Sequence, residues 1–208
     1  MAIKKDPINL IISGVGGQGN ILASQLTATA AIAEGMFVSI GETYGASQRG
    51  GSVMSHVRFS REFQYGPLIP QGQADLVLGF EPLETLRVLV DYGHENTQVI
   101  FNPRPNYPIS VLSGQQKYPP LTEIFGKIKG LAGSAKIVKA TELAKELGAL
   151  VAQNVVMVGA LAASEFLPIS IASFEKTIAE VFEDPQKREF NQKAFALGQR
   201  GYQEAESL

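Results

Sequence analysis

Ile8-Asn9-Leu10-Ile11-Ile12-Ser13 runs straight into Gly14-Val15-Gly16-Gly17-Gln18-Gly19, and then into a segment that carries no charge from Ile21 to Ala33. This order decides the fold class. A continuous apolar run of strand length, a glycine turn and a long helical segment form a strand–turn–helix unit with a buried strand. The helix is predicted over Ile21 to Glu34, with Gly35 placed just past its end, where a left-handed residue closes a helix. Its Ala, Ser and Thr residues permit close approach to a sheet, and its missing charged face implies cover on both sides.

Outward from that unit the chain keeps alternating short apolar runs with longer helical ones, the signature of layered α/β architecture. Strands are predicted at Phe37–Ile40, Val53–Ser60, Asp75–Phe80, Gln98–Phe101 and Ala135–Val138. Thr43 to Ser52 reads as a loop, and Leu68-Ile69-Pro70 as a short antiparallel return. Pro82 starts a helix at the position where a missing amide is harmless. Thr141 is predicted to cap one long helix through Phe166, Ser173 the next, and Asp184-Pro185 the last, which carries Phe190, Ala194 and Leu197 as its apolar stripe. The reading is a single three-layer α/β/α domain over residues 1–208, with a mostly parallel but mixed, Rossmann-like sheet.

Composition narrows the function classes. The 208 residues are 45% hydrophobic, ample for a core, and 18 Lys and Arg face 20 Asp and Glu. A net charge of −2 lacks the basic excess that phosphate neutralisation demands, so no nucleic-acid partner is expected. With no cysteine the chain can hold no disulfide, no Cys-ligated iron–sulfur cluster and no thiol nucleophile. Met1 to Pro7 lacks the layout of a signal peptide. Leu147 to Ser164 is uncharged over 18 residues, yet Gly148, Gln153, Asn154 and Gly159 make it a buried helix rather than a membrane span. A soluble, cytoplasmic protein is expected.

Gly14 to Gly19 fits G-x-G-x-x-G between a strand and a helix, where backbone amides can approach a phosphate. Glu42 lies 23 residues after Gly19, where an acidic residue closing the second strand would complete a ribose-binding fingerprint. The competing reading is that these glycines serve only a tight crossing. The segment Gly41-Glu42-Thr43-Tyr44-Gly45-Ala46-Ser47-Gln48-Arg49-Gly50-Gly51-Ser52 interleaves polar side chains with glycines straight after a strand, where open sheets place ligand loops. Arg49 there suits a carboxylate or phosphate; alternatively the loop is solvated and Arg49 pairs with a surface Glu. His56 and His94 have no metal-ligand spacing, His94 being read as part of a surface turn. Glu81 and Glu84 share a helix face and read as a solvated first turn, with Arg49 or Arg87 as possible partners. Asn154, on an apolar stripe, either ties down backbone or marks an interface, the structural role being the favoured reading. No self-sufficient catalytic set emerges, so the chemistry depends on another polypeptide.

Gly14–Gly19, Ser47-Gln48-Arg49-Gly50-Gly51-Ser52, Pro67-Leu68-Ile69-Pro70, Ala74 to Glu84, Asn154 to Leu161 and Asn191 to Gly198 together resemble the gamma domain of the 2-oxoacid:ferredoxin oxidoreductase family. The Ser-Gln-Arg-Gly-Gly form and the free-standing size are most similar to the indolepyruvate-type branch. The resemblance implies a subunit, inactive alone, of an anaerobic enzyme that oxidatively decarboxylates an aryl 2-oxoacid, with coenzyme A as co-substrate. It implies a hetero-oligomer whose larger alpha subunit holds thiamine diphosphate, Mg and iron–sulfur clusters and passes electrons to ferredoxin; this chain binds no cofactor or metal by itself. Glu42, Ser47, Gln48 and Arg49 are then expected to face the partner's active site, with Arg49 on an anionic group. The charge-free first helix and the helix around Asn154 are the expected partner-facing surfaces. Two other readings stand beside this one. One is a self-contained Rossmann-type nucleotide-binding module with Gly14, Gly16, Gly17, Gln18 and Gly19 on a diphosphate; the other is a pure scaffold whose glycine loops merely pack.

Overall fold

A computed structural model describes residues 4–44, 50–107 and 109–208. In chain order the strands are β1 (Ile8–Val15), β2 (Phe37–Tyr44), β3 (Ser52–Ser60), β4 (Leu76–Gly79), β5 (Gln98–Phe101), β6 (Ser134–Ile137) and β7 (Glu206–Ser207). The helices are α1 (Asn20–Ala33), α2 (Pro82–Tyr92), α3 (Ile109–Leu112), α4 (Leu121–Leu131), α5 (Ala140–Glu146), α6 (Gln153–Ala163), α7 (Ile171–Val181) and α8 (Pro185–Gln203), with a 3₁₀ turn at Leu150–Ala152. Among the described residues the strands form one sheet in the order β2-β3-β1-β4-β5-β6-β7.

The expected mixed α/β sheet is found. β1, β4, β5 and β6 run parallel, and β3 and β7 pair antiparallel with their neighbours. Alternation along the strands sorts the core into two layers. Leu10, Ile12, Leu78 and Ile100 face one layer with residues of α1, α6, α7 and α8. Ile11, Val77, Val99 and Phe101 face the other, with Leu86 and Leu89 of α2 and Ile124 and Ile128 of α4.

Four expectations are corrected. The antiparallel element is β3, inserted between β1 and β2, and Leu68–Pro70 forms no strand. Gly41 lacks a side chain where Leu68 and Pro67 fold over the sheet: a Cβ there would lie 3.1 and 3.2 Å from them. β2 continues past Ile40 to Tyr44. The long helix from Thr141 is divided, because Gly148 turns left-handed (φ 75°) between α5 and α6. Finally, Ser170 rather than Ser173 caps α7, accepting the Ser173 amide. Glu34, at the end of α1, accepts Ser173 Oγ (2.7 Å) and the Ser170 amide (3.1 Å); hydrogen bonding from the Ser170 side chain first, then from Ser173 and the Ser170 amide, lowers its pKa to about 2.

The expected cap at Asp184 is present, its carboxylate accepting the Lys187 amide at 2.9 Å. α6 is held by burial rather than propensity. Val155, Val156, Met157, Val158 and Leu161 are all within 1% of full burial, and each such side chain contributes on the order of 1.5–3 kcal/mol. It is therefore an internal helix, not the partner-facing surface expected of it. α1 does turn apolar residues outward, Ile21 at 40% and Ile32 at 58% exposure.

Candidate functional site

The glycine turn after β1 is closed by its own side chains. Gln18 Oε1 accepts the Val15 amide at 2.7 Å, and Gln18 Nε2 donates to the Phe80 carbonyl at 3.1 Å. Gly17 (φ 106°) and Gly19 (φ 88°) take left-handed backbone. Gly19 is also required by contact, because a Cβ there would stand 2.2 Å from Asn154 Nδ2. Asn154, 5% exposed, accepts the Val155 amide at 2.8 Å, so its role at the start of α6 is structural, as expected.

The turn joins the second loop singled out by sequence. The Gly16 amide donates to the Gly51 carbonyl (2.8 Å), and the Gly50 amide returns a bond to the Gly16 carbonyl (3.2 Å). Gly14–Gly19 and the Gly50–Gly51 lead into β3 therefore share one rim at the carboxyl end of β1. Ser47, Gln48 and Arg49 lie outside the described residues. Glu42 does not close a strand beside β1: it lies inside β2, opposite Ser55, with β3 between it and β1. Its carboxylate accepts Ser24 Oγ (3.0 Å) and Ser55 Oγ (2.5 Å), which braces one stem of the loop against α1 and β3. With β1 and β2 separated and the Val15 and Gly16 amides engaged, the residues present do not fit a dinucleotide held as in a Rossmann module.

Beside the rim opens a cleft of about 430 Å³ lined by Gly17, Gln18, Arg104, Pro105, Asn106, Thr141, Leu150, Val151 and Gln153. It lies outside the carboxyl ends of β1, β5 and β6, where open parallel sheets bind ligands. Behind its lining is a polar network. The Phe80 carbonyl accepts Nε2 of Gln18, Nδ2 of Asn102 (3.3 Å) and Nε2 of Gln153 (3.3 Å). Asn102, fully buried, donates to Thr141 Oγ1 (3.0 Å) and accepts the Thr141 amide (3.2 Å), and Thr141 donates to Gln153 Oε1 (2.9 Å). A buried amide network of this kind fixes geometry because each unmade bond is costly. Leu150 and Val151, 54% and 73% exposed, form an apolar lip. Asn102 and Gln153 escaped sequence reading; a polar residue directly after a buried strand, as Asn102 follows Phe101, is the signal that points to one of them.

Glu81 and Glu84 are not a solvated first turn: they are 1% and 3% exposed. Glu81 caps α2 by accepting the Glu84 amide (2.9 Å) and accepts the Tyr118 hydroxyl through its other oxygen. Burial is the main force raising its pKa, partly offset by these bonds and one from the Asn106 backbone. Burial and the Glu81 carboxylate likewise push the Tyr118 hydroxyl up. Glu84 accepts Ser52 Oγ (2.5 Å) and lies 3.7 Å from Arg87 Nε.

The histidines lie away from the cleft. His56 is buried; its Nδ1 accepts the Ile69 amide (3.3 Å), its Nε2 has no hydrogen-bond partner among the described residues, and desolvation lowers its pKa. His94, in a turn, is 3.7 Å from the buried Asp75 carboxylate, which also takes Lys5 at 2.7 Å. Among the described residues no group of three or more His, Asp or Glu is placed to hold a metal ion, and no helix is long and apolar enough to cross a membrane.

This architecture recurs in known proteins. The gamma subunit of a keto/oxoacid ferredoxin oxidoreductase from Geobacter sulfurreducens matches with a TM-score of 0.66 at 25% identity, over 95% of this chain and 99% of that one. A 2-oxoglutarate:ferredoxin oxidoreductase from Magnetococcus marinus, solved with 2-oxoglutarate, coenzyme A and succinyl-CoA bound, matches with a TM-score of 0.75 at 21% identity. That likeness is one of fold: it takes in 97% of this chain, which spans about a third (32%) of that longer one. In sequence, the indolepyruvate oxidoreductase subunit IorB of Archaeoglobus fulgidus is 39% identical over 191 residues, 92% of this chain and 93% of its own length. The model of the pyruvate ferredoxin/flavodoxin oxidoreductase family matches residues 9–204, and the chain therefore belongs to that family.

Proposed function

We propose that this chain is the subunit without thiamine of a 2-oxoacid:ferredoxin oxidoreductase, converting an aryl, indolepyruvate-like 2-oxoacid and coenzyme A to the acyl-CoA and carbon dioxide, with the electrons passing to ferredoxin. Its partner is the larger cytoplasmic subunit that holds thiamine diphosphate, Mg and the iron–sulfur clusters. This chain supplies a wall of the shared site. The observation that carries the reading is the Gly16–Gly51 bond, which merges the glycine turn and the stem of the Ser47-Gln48-Arg49 loop into one rim next to a cleft carrying Arg104. The guanidinium of Arg104 in the cleft, and that of Arg49 in the neighbouring loop sequence, are of the kind that suits the anionic carboxylate of the oxoacid or the phosphates of coenzyme A.

The test is co-purification of the native complex and a screen of aryl and aliphatic 2-oxoacids. The isolated chain is expected to be inactive, and activity is expected only with the thiamine-bearing subunit. Arg49→Ala in the complex is expected to cost about 2–4 kcal/mol in kcat/KM, the scale for removing a charged group that holds an anion in a desolvated site. Turnover by the chain alone, or unchanged kinetics for Arg49→Ala, sinks this reading; micromolar binding of NAD, FAD or ATP revives the nucleotide module.

A further inference from the structure

The first turn of α2 places two buried carboxylates so that each reaches a different side of the site. Glu84 reaches the rim: it holds Ser52, the residue after Gly51, whose carbonyl receives the Gly16 amide. Glu81 reaches the opposite wall: it holds the Tyr118 hydroxyl and the backbone of Asn106, a cleft-lining residue two positions from Arg104. Tyr118 in turn packs edge-on against Tyr107, with ring centroids 5.1 Å apart. Directly before Glu81, the Phe80 carbonyl gathers the amides behind the cleft floor. One short segment, Phe80 to Glu84, therefore ties together floor, rim and wall.

Stability alone does not explain carboxylates here. Burying two of them one turn apart, with the Arg87 guanidinium 3.7 Å from only one, carries a desolvation cost that a neutral or apolar side chain avoids. Glutamate is also outside the usual helix-capping set of Ser, Thr, Asp and Asn. What Glu adds is reach: the longer arm lets the cap of α2 extend to Tyr118, and lets Glu84 extend to Ser52 on a different element. We propose that Glu81 and Glu84 are positioning residues that set the gap across the cleft, between the rim formed by Gly16, Gly50 and Gly51 and the wall carrying Arg104 and Asn106. This rests on the function proposed above only for what the gap receives.

The experiment has two arms. In the isolated full chain, hydrogen exchange is followed by mass spectrometry for Ser52→Ala, Glu84→Leu and Tyr118→Phe, beside thermal unfolding. The first two are expected to speed exchange around Gly16 and Gly50, and Tyr118→Phe around Asn106, without lowering the melting point of Glu84→Leu. In the complex with the thiamine-bearing subunit, Glu84→Leu is expected to lower kcat/KM by about tenfold to a hundredfold, the scale of a displaced binding group. Glu84→Gln, which keeps an acceptor for Ser52, restores most of it. Ser52→Ala with Glu84→Leu is expected to lose no more than either alone, since both break one link. Unchanged exchange at Gly16 and Gly50, or Glu84→Leu kinetics equal to wild type in an active complex, overturns the proposal. Should the wild-type complex oxidise no 2-oxoacid, the function reading fails, and the exchange arm alone upholds or overturns the positioning role.

Discussion

Gly19 and Asn154 meet so closely that α1 and α6 begin side by side only because residue 19 has no side chain: a Cβ there would lie 2.2 Å from Asn154 Nδ2. Gly19→Ala adds to this clash the strain of an L-residue at φ 88°. A loss of about 2–4 kcal/mol in denaturant unfolding is expected. Asn154→Ala in the same chain relieves the clash but not the backbone strain, so part of the loss returns. A purely additive double variant would show that the contact does not matter.

Glycines inside the helices separate into two kinds. In α8 a Cβ on Gly198 would stand 1.9 Å from the Val156 carbonyl oxygen, whereas in α4 one on Gly126 or Gly130 meets nothing within 4 Å. Replacing a helical glycine by alanine ordinarily stabilises by about 1 kcal/mol. Gly126→Ala and Gly130→Ala are expected to follow that rule. Gly198→Ala is expected to reverse it, destabilising by about 2–4 kcal/mol as α6 and α8 are forced apart. Thermal unfolding of the three variants compares the signs directly.

Asn102 supplies both donor and acceptor to a fully buried position. Asn102→Leu keeps the size but strands the Thr141 amide, a loss of about 2–3 kcal/mol. Circular dichroism melts measure the loss, and a variant as stable as wild type would mean that the network rearranges freely.

Burial holds the His56 imidazole neutral, its pKa displaced downward by desolvation. The unfolded chain takes up a proton near the ordinary value of about 6.5, while the folded chain resists it. The stability contributed by neutral His56 is therefore complete above that value and is lost as pH falls through the lowered folded pKa. His56→Asn keeps an acceptor for the Ile69 amide and removes this titration. Denaturant unfolding between pH 7 and pH 5 should show a shallower decline for the variant; parallel declines would assign the acid sensitivity elsewhere.

Local patterning carried much of the fold. β1, α1, β5 and α8 were legible because apolar runs, a closing Gly35 and the Asp184-Pro185 cap are written in adjacent residues. The neighbours of β3 were not, since its alternation marks a strand without saying that it separates β1 from β2. The extension of β2 was hidden because Glu42 and Thr43 look like loop residues until Ser24, Ser55 and the Met54 carbonyl satisfy them. α4 begins after Pro120 without a side-chain cap and carries two glycines, so it announces itself weakly. The site divides similarly. Both glycine loops could be found, but the burial of Glu81 and Glu84 depends on Tyr118 and Ser52, which lie 37 and 32 residues away in sequence.

β2 ends the sheet, and its exposed side chains include Phe37 at 46% and Ile40 at 37% accessibility. Gln64 and Tyr65 engage its beginning, through the Val38 carbonyl and Ser39, and Pro67 and Leu68 lie over Gly41. An apolar terminal strand is a template on which a second copy can extend the sheet. Ile40→Lys would set a charge on this edge, the simplest gatekeeper against pairing of that kind.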